Sequence, residues 1–414
     1  MFKPLHITCI LVVIFYTTLS LSAEMQHEDE LTIVNAFTLH DLVEKSLPHY
    51  PNSQLLAAKK LMLEARQTQA NSLLPGSAAL ILRNQNDQLL SRNGETEWEA
   101  GLEFPIWLNG QRKARAAIAN IASQNLTADT QYLRLQLAGM VRDALWDIQL
   151  MQGLADIAKA KHEAASQLQR DIEKRVALGD MAQKDLLVAQ TESLQAESER
   201  INAEAEVQHA KFRYVNLTGL SIIPAEFTEI KSAKSDVEDT HLALLEANGK
   251  IALSIEQRNL VHIENRDNPT VTLGTRSLRG ATDTQYNNSF GITVRIPLQS
   301  ATRNTPLQAA AEMQYAENQA HLSQLKLLLA AAMHEAEHNL EVGSAQLEVL
   351  TKQHNIAQQS LSVTRKAFQL GELDLSDLIR VQTQAFNTEK SLKNQQIQQL
   401  WNTARYNQAV GELP

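Results

Sequence analysis

Cysteine occurs once in 414 residues, at Cys9. Beyond it no thiol is present to pair, to oxidise or to bind zinc, so disulfide frameworks and cysteine-based metal sites are excluded. Long apolar runs are missing after residue 23, and no stretch of about 18 or more residues could cross a bilayer as a helix. An excess of basic charge is missing too. With a formal net charge of −9 there is no cationic face for a phosphate backbone, so no nucleic-acid partner is expected. Aromatic residues make up only 5%. The abundance of Ala, Leu and Gln suits long helices packed through small side chains better than one large core.

Proline is absent over two long spans, between Pro105 and Pro224 and between Pro306 and Pro414. A proline inside a helix costs about 3 kcal/mol, so both spans are free to be helical. Gln111 to Leu178 alone would reach roughly 100 Å at about 1.5 Å per residue, with Gly139 and Gly153 as points of bending. The first residues read differently. Lys3, the apolar run Ile7 to Leu19 and the small residues Ser20 to Ala23 form a secretory signal peptide over 1–23, and Cys9 sits too early in it to be an acylated lipoprotein cysteine.

What is present is a duplication. Leu178-Gly179-Asp180 returns as Leu370-Gly371-Glu372, Asp185-Leu186 as Asp377-Leu378, and Gln190-Thr191 as Gln382-Thr383. The offset, 370 minus 178, is 192, and it also relates Phe104-Pro105 to Ile296-Pro297 and Arg213-Tyr214 to Arg405-Tyr406. One constant offset over so long a span marks two tandem units. The expected organisation is 24–220 for the first, 221–239 for a polar connector, and 240–414 for the second. Each unit opens with a short amphipathic helix (Leu39 to Ala70, His241 to Glu264). A β-hairpin, a long helix, a glycine turn and a second long helix follow.

The hairpins alternate with period two. Trp98, Ala100, Leu102 and Phe104 interleave with Glu97, Glu99, Gly101 and Glu103; Tyr286, Phe290, Ile292, Val294 and Ile296 interleave with Ser289, Gly291, Thr293 and Arg295. One dry and one wet face fits a soluble sheet covered by helices. It equally fits part of an outer-membrane barrel, apolar outside and polar inside. Four strands cannot close a barrel that needs about eight, so the barrel reading demands several copies. Leu187, Leu194 and Ile201 repeat every seven residues, with Thr191, Ser198 and Ala205 between them, as in a coiled-coil seam. Gly179 and Gly371 are placed to end their helices, Asp374 to cap the next helix, and Asp377 to fall in its first turn. The first unit has Ala182 at the capping position but keeps Asp185.

Over nearly its whole length the chain resembles the TolC-like outer-membrane efflux family. The resemblance rests on Leu39 to Leu42 with Pro51, on Leu73-Leu74-Pro75, on Phe104-Pro105 and Ile296-Pro297, and on the duplicated glycine turns. The resemblance implies a mainly helical fold in which tandem helical hairpins form an α-barrel. Four strands per chain would contribute to a trimeric 12-stranded β-barrel in outer-membrane lipid, with Trp98, Leu102, Phe104, Phe290, Ile292, Val294 and Ile296 facing that lipid. It implies a homotrimer acting as the exit duct of a tripartite efflux system. The tips Leu178, Gly179, Asp180, Leu370, Gly371 and Glu372 would dock on a periplasmic adaptor (membrane fusion) protein, with an inner-membrane pump of the RND type supplying energy. Asp185, Asp374 and Asp377 would cap helices and gate the tunnel mouth; where some members carry a further acid, this chain has Arg380. Gly110-Gln111-Arg112 with Arg115 is similar to the pattern of the heavy-metal (CzcC-like) branch, with Gln111 in place of lysine; that likeness would imply metal cations as a cargo, while the residues by themselves read as a basic first turn after the barrel.

His334-Glu335-Ala336-Glu337-His338 matches the zinc-protease pattern H-E-x-x-H, which places two histidines on one helix face. A catalytic zinc needs a third protein ligand, and the extended pattern would need glycine at 341 and histidine at 344, where Glu341 and Ser344 stand. No phosphate loop, nucleophile elbow or paired-carboxylate cleft occurs, and His162, His209 and His354 read as residues of polar helix faces. No enzyme and no cofactor are expected. The competing reading is a periplasmic coiled-coil adaptor or scaffold without a membrane barrel.

Overall fold

The computed structural model describes residues 30–414; the signal peptide expected over 1–23 lies outside the described residues. The element order is β1 (Thr32–Val34), α1 (Leu39–Ser46), α2 (Asn52–Asn71), β2 (Ala79–Asn86), β3 (Thr96–Pro105), α3 (Gln111–Ala177), α4 (Gln183–Thr218), β4 (Ile222–Pro224), α5 (Leu242–Ile263), β5 (Thr270–Arg279), β6 (Asn287–Arg295), α6 (Ala301–Gln369) and α7 (Leu375–Ala409). The fold is mainly helical with a small β part. The two long helices, of 67 and 69 residues, fill the spans that lack interior proline. Pro306 falls in the second turn of α6, where its missing N–H costs one bond near the helix start.

The helix expected over Leu39 to Ala70 is two helices. Pro48 and Pro51 have no N–H to give, and Tyr50 instead bonds back to Ser46 at 3.1 Å, which turns the chain before α2. The first piece opens with a capping box: the Thr38 hydroxyl accepts from the Asp41 N–H while the Asp41 carboxylate accepts from Thr38. Those bonds hold the Asp41 carboxyl below its usual range.

Small clusters spaced along the helices replace a single core. The largest joins α1, α3 and α4 through Leu42, Val43, Leu137, Val141, Leu145 and Tyr214. The buried Tyr214 hydroxyl donates to the Ile222 carbonyl at 2.5 Å, and burial pushes its phenol well above the usual range. Its counterpart 192 residues on, Tyr406, donates to the Lys234 carbonyl at 2.7 Å. Gly139 and Gly153 do not interrupt α3. A β-carbon on Gly139 would meet Gln408, and one on Gly153 would meet Ile397 and Lys393, so these glycines admit the close approach of α7.

Two pairings are not legible in the sequence pattern. The connector is not a bare linker: Ile222–Pro224 pairs in parallel with Thr32–Val34. Further along, Glu229 takes two hydrogen bonds from the buried Arg142, at 2.6 and 2.8 Å, while Arg142 also donates to Gln408 and to the Glu412 carbonyl. The strap thereby ties α3 to the end of α7. Leu187, Leu194 and Ile201 do not form the seam inside their hairpin. The interior positions are Leu186, Ala189, Ser193 and Ala196, and the heptad stripe lies on the exposed side of α4.

Two outcomes follow for stability. Arg142→Ala would leave Glu229 charged and part-buried without its partner, a loss of about 3–5 kcal/mol, checked by denaturant unfolding. His241 caps α5 by accepting from the Ala243 N–H through Nδ1, 3.1 Å away, and this requires a neutral ring. Burial, and next the charge of Lys234, lower its pKa from 6.5. The unfolded chain therefore takes up the proton first as pH falls. The contribution of His241 is fully present above pH 6.5 and lost below it, so a His241→Asn variant, whose cap does not titrate, should show a flatter thermal stability profile between about pH 7 and 5.

Candidate functional site: the sheet wall and the helical tips

The four strands form one sheet in the order β2-β3-β5-β6, all antiparallel, with β2 and β6 as its two edges. Register sorts the side chains into rows. Leu80, Leu102, Leu273 and Ile292 form one row across all four strands; Leu82, Ala100, Thr275 and Phe290 form the next; Phe104, Val271 and Val294 form a third. The band ends at the loop side in Asn84, Trp98, Ser277 and Asn288, with the Ser277 hydroxyl bonded to Asn288. Trp98, Leu102, Phe290, Ile292 and Val294 are all well exposed. Phe104 is part-covered, and Ile296 lies just beyond the end of β6.

The opposite face is polar. Arg276 makes two bonds to Glu97 at 2.7 and 2.9 Å, Arg83 lies 3.5 Å from Glu99, and Thr272 bonds Glu103. Of these, Glu99, Glu103, Thr272 and Arg276, with Gly101, Gly274, Gly291 and Arg295, line a trough of about 450 Å³. Among the described residues no helix is long and apolar enough to cross a membrane.

The sheet is joined to the helices by a polar knot. The Gln111 side chain is buried, accepts from the Leu108 N–H, and donates to Glu264 and Asn268. Arg112 bonds the Ala70 and Asn71 carbonyls, and Arg115 pairs with Glu264. The residues similar to the heavy-metal branch are therefore engaged in holding strand β3, helix α3 and the end of α5 together.

At the far end of the long helices the two glycine turns are built alike. The Asp180 N–H bonds the Arg175 carbonyl and the Gly179 N–H bonds Val176; the Glu372 N–H bonds Ala367 and the Gly371 N–H bonds Phe368. These are Schellman ends, and both glycines take the left-handed conformation, at φ near 80°. Leu178 and Leu370 stand out into solvent, 77% and 76% exposed. Beneath them Ile172, Leu186, Phe368, Leu375 and Leu378 form one core, with the Arg175 guanidinium over the Phe368 ring, so the tips pack side by side. Asp374 caps α7 by accepting from the Asp377 N–H at 2.8 Å; Ala182 offers no such cap to α4, and Asp185 stays in its first turn. Arg380 donates to Asp377 at 3.0 Å. The identity of that residue tells only that an acid is missing; the pairing depends on its place one turn after Asp377.

His334 and His338 lie on the exposed side of α6 with their rings nearly parallel and centroids 6.4 Å apart. Among the described residues of one chain, no group of three or more His, Cys, Asp or Glu is placed to hold a metal ion.

The family model for outer membrane efflux proteins matches residues 52–220 and 231–412. No curated protein matches the chain. Solved structures do. The outer membrane protein VceC of Vibrio cholerae is 16% identical with a TM-score of 0.72, over 90% of this chain and 96% of that one. The CmeC outer membrane channel of Campylobacter jejuni is 11% identical, TM-score 0.73, over 90% and 85%. The open state of the Neisseria gonorrhoeae MtrE channel is 14% identical, TM-score 0.67, over 92% and 94%. At such identities the likeness is one of fold. The family match spans both units and nearly the whole described chain: this protein belongs to the outer membrane efflux protein family, and its function is that of an efflux channel in the outer membrane.

Proposed function

We propose that the protein is the passive exit duct of a tripartite efflux system, working as a homotrimer. The observation that carries this reading is the open four-stranded sheet with one apolar and one charged face. In hydrocarbon, an unpaired strand edge leaves N–H and C=O groups without partners, which is not tolerated. Edges β2 and β6 must then be closed by other copies, and three chains supply twelve strands, enough for a barrel that encloses a channel. The same three chains supply six long helices (α3 and α6 of each), which set the length of a periplasmic cylinder at roughly 100 Å, and six shorter ones (α4 and α7 of each) packed beside them. A coiled-coil adaptor or scaffold would have no use for an apolar band ended by tryptophan and asparagine.

In this reading the tips face an adaptor protein, and an inner-membrane pump of the RND type supplies the energy. The exposed Leu178 and Leu370 are the apolar anchors for docking; Gly179, Asp180, Gly371 and Glu372 shape the turns. Asp185 and Asp377 recur around the mouth. Because Arg380 holds Asp377, the second ring is one of acid–base pairs rather than bare acids, and it gates by position more than by charge. The Gly110-Gln111-Arg112 stretch, engaged in the knot under the sheet, lends no support to a metal cargo or to any other.

Leu102→Arg or Val294→Arg near the middle of the apolar band should cost about 2–4 kcal/mol and impair assembly, whereas Glu99→Gln and Arg295→Gln should be tolerated. Equal tolerance on the two faces, measured as trimer yield in outer membranes, would contradict the barrel. At the other end, Gly371→Pro should abolish export while trimers still reach the membrane. Asp377→Ala should raise leak conductance in planar bilayers; unchanged export and conductance in these variants would reduce the tips to ordinary turns.

A further inference from the structure

The two units are related by an offset of 192, but their long helices are not equally covered. Helix α3 packs on α1, α2, α4, α5 and α7, whereas among the described residues α6 packs chiefly on α5 and α7 and meets α3 at the tip, where Arg175 lies over Phe368. The stripe that α3 turns toward α7 includes Leu135, Arg142 and Trp146, each 2% exposed. Its counterparts on α6 are Leu327, His334 and His338. Leu327 is 74% exposed, and both histidines are on the surface. The partner missing from α6 is the equivalent of α7, which is α4, and the α4 of the same chain is already spent on α3. The outward stripe Leu187, Leu194 and Ile201 shows that α4 has a face to give. The counterparts of Leu187 and Leu194 on α7, Ile379 and Phe386, line one small cavity with Ala165 and Leu168 of α3. Repeating the α3–α7 contact between chains therefore seats α4 of one copy on α6 of the next.

That operation brings particular residues together. Within the chain, Trp146 packs in one cluster with Ile397, Ala404 and Trp401, and the Trp401 indole N–H donates to Asp143 at 2.6 Å. Subtracting the offset from Trp401 gives His209; adding it to Asp143 and Trp146 gives Glu335 and His338. His209 is 64% exposed in the single chain, with its Nδ1 3.5 Å from the Glu206 carboxylate. A carboxylate on one ring nitrogen is the arrangement that orients a metal-binding histidine and leaves Nε2 for the ion. Resting on the trimer reading above, we propose that each interface between copies holds a binding site for a nitrogen-preferring divalent transition cation. Its ligands are His334 and His338 on α6 of one copy and His209 on α4 of the next, with Glu335 beside them. Among the described residues of its own chain the H-E-x-x-H pair has no third ligand, and the neighbour supplies it; three imidazoles are a donor set suited to zinc, nickel or copper. The cation would clamp neighbouring copies together at the level where α7 and α4 end.

Two measurements on the full-length protein, extracted in detergent, decide this. In a chain with Cys9→Ser, the pair His209→Cys and His338→Cys should give disulfide-linked dimers and trimers on diamide oxidation, and neither single cysteine should. Titration of the wild-type trimer with Zn²⁺ alone should show one site per chain. His209→Ala, His334→Ala or His338→Ala should each weaken it by at least about tenfold, or about 1.4 kcal/mol, without changing the native mass. A trimer that gives no cross-link, no zinc site, or zinc binding indifferent to His209→Ala overturns the shared site while leaving the exit duct intact. Native mass showing only monomer overturns the trimer itself and the site with it.

Discussion

A strand edge in hydrocarbon has nowhere to send its backbone hydrogen bonds, and the rest of this structure depends on that constraint. The sheet β2-β3-β5-β6 is too narrow to close on itself and too apolar on one face to stand in water. Closure has to come from further copies. Once copies are arranged around an axis, every helix that follows a strand is arranged around it too. The knot at Gln111, Arg112, Arg115, Glu264 and Asn268 makes that transfer rigid. It ties the end of β3 to the start of α3 through buried polar groups, which hold only one geometry well.

Duplication then does economically what a single long domain could not. A chain that lacks a large core gains stability by repeating modest contacts: a tyrosine near the end of each second helix bonds a carbonyl of the segment 221–239, and a Schellman turn ends each long helix. The copies are not identical where they serve different neighbours. Arg142 and Trp146 look into the chain and are buried; His334 and His338 look out and are exposed. Divergence at equivalent positions thus separates contacts made within a copy from contacts made between copies. The connector adds an element with no counterpart, since Glu229 reaches the buried Arg142 and fixes how the two units sit on one another.

Much of this was legible in the sequence where one local rule dominates. Freedom from proline and a terminal glycine place α3 to within a residue of Gln111 to Leu178, because nothing in 67 residues opposes the helix. Period two places β3 and β6, and register lines up their apolar residues in rows across the sheet. What was not legible depended on distant partners. Thr32–Val34 and Ile222–Pro224 are three residues each, too short to carry a period, and are strands only because they meet. The heptad Leu187, Leu194, Ile201 is a true apolar stripe, yet sequence alone does not say which of two faces meets the partner helix within the chain. Small residues won that place: Ala189, Ser193 and Ala196 let α3 and α4 approach closely, and the leucines were left outside. Arg380 shows the same limit at the tips, since its pairing with Asp377 needs the first turn of α7 to be formed.

The H-E-x-x-H segment carries this argument furthest. Spacing alone makes it a metal pair, and spacing is all that a protease and this helix share. In a compact enzyme the third ligand comes from the same core; here the pair sits on the exposed side of a 69-residue helix whose other side packs on α5 and α7. Among the described residues no third ligand joins it in the same chain; the one proposed belongs to another molecule, and the internal offset names which residue of that molecule arrives. The chemistry of a motif is thus set less by its letters than by what the surrounding symmetry delivers to its open side.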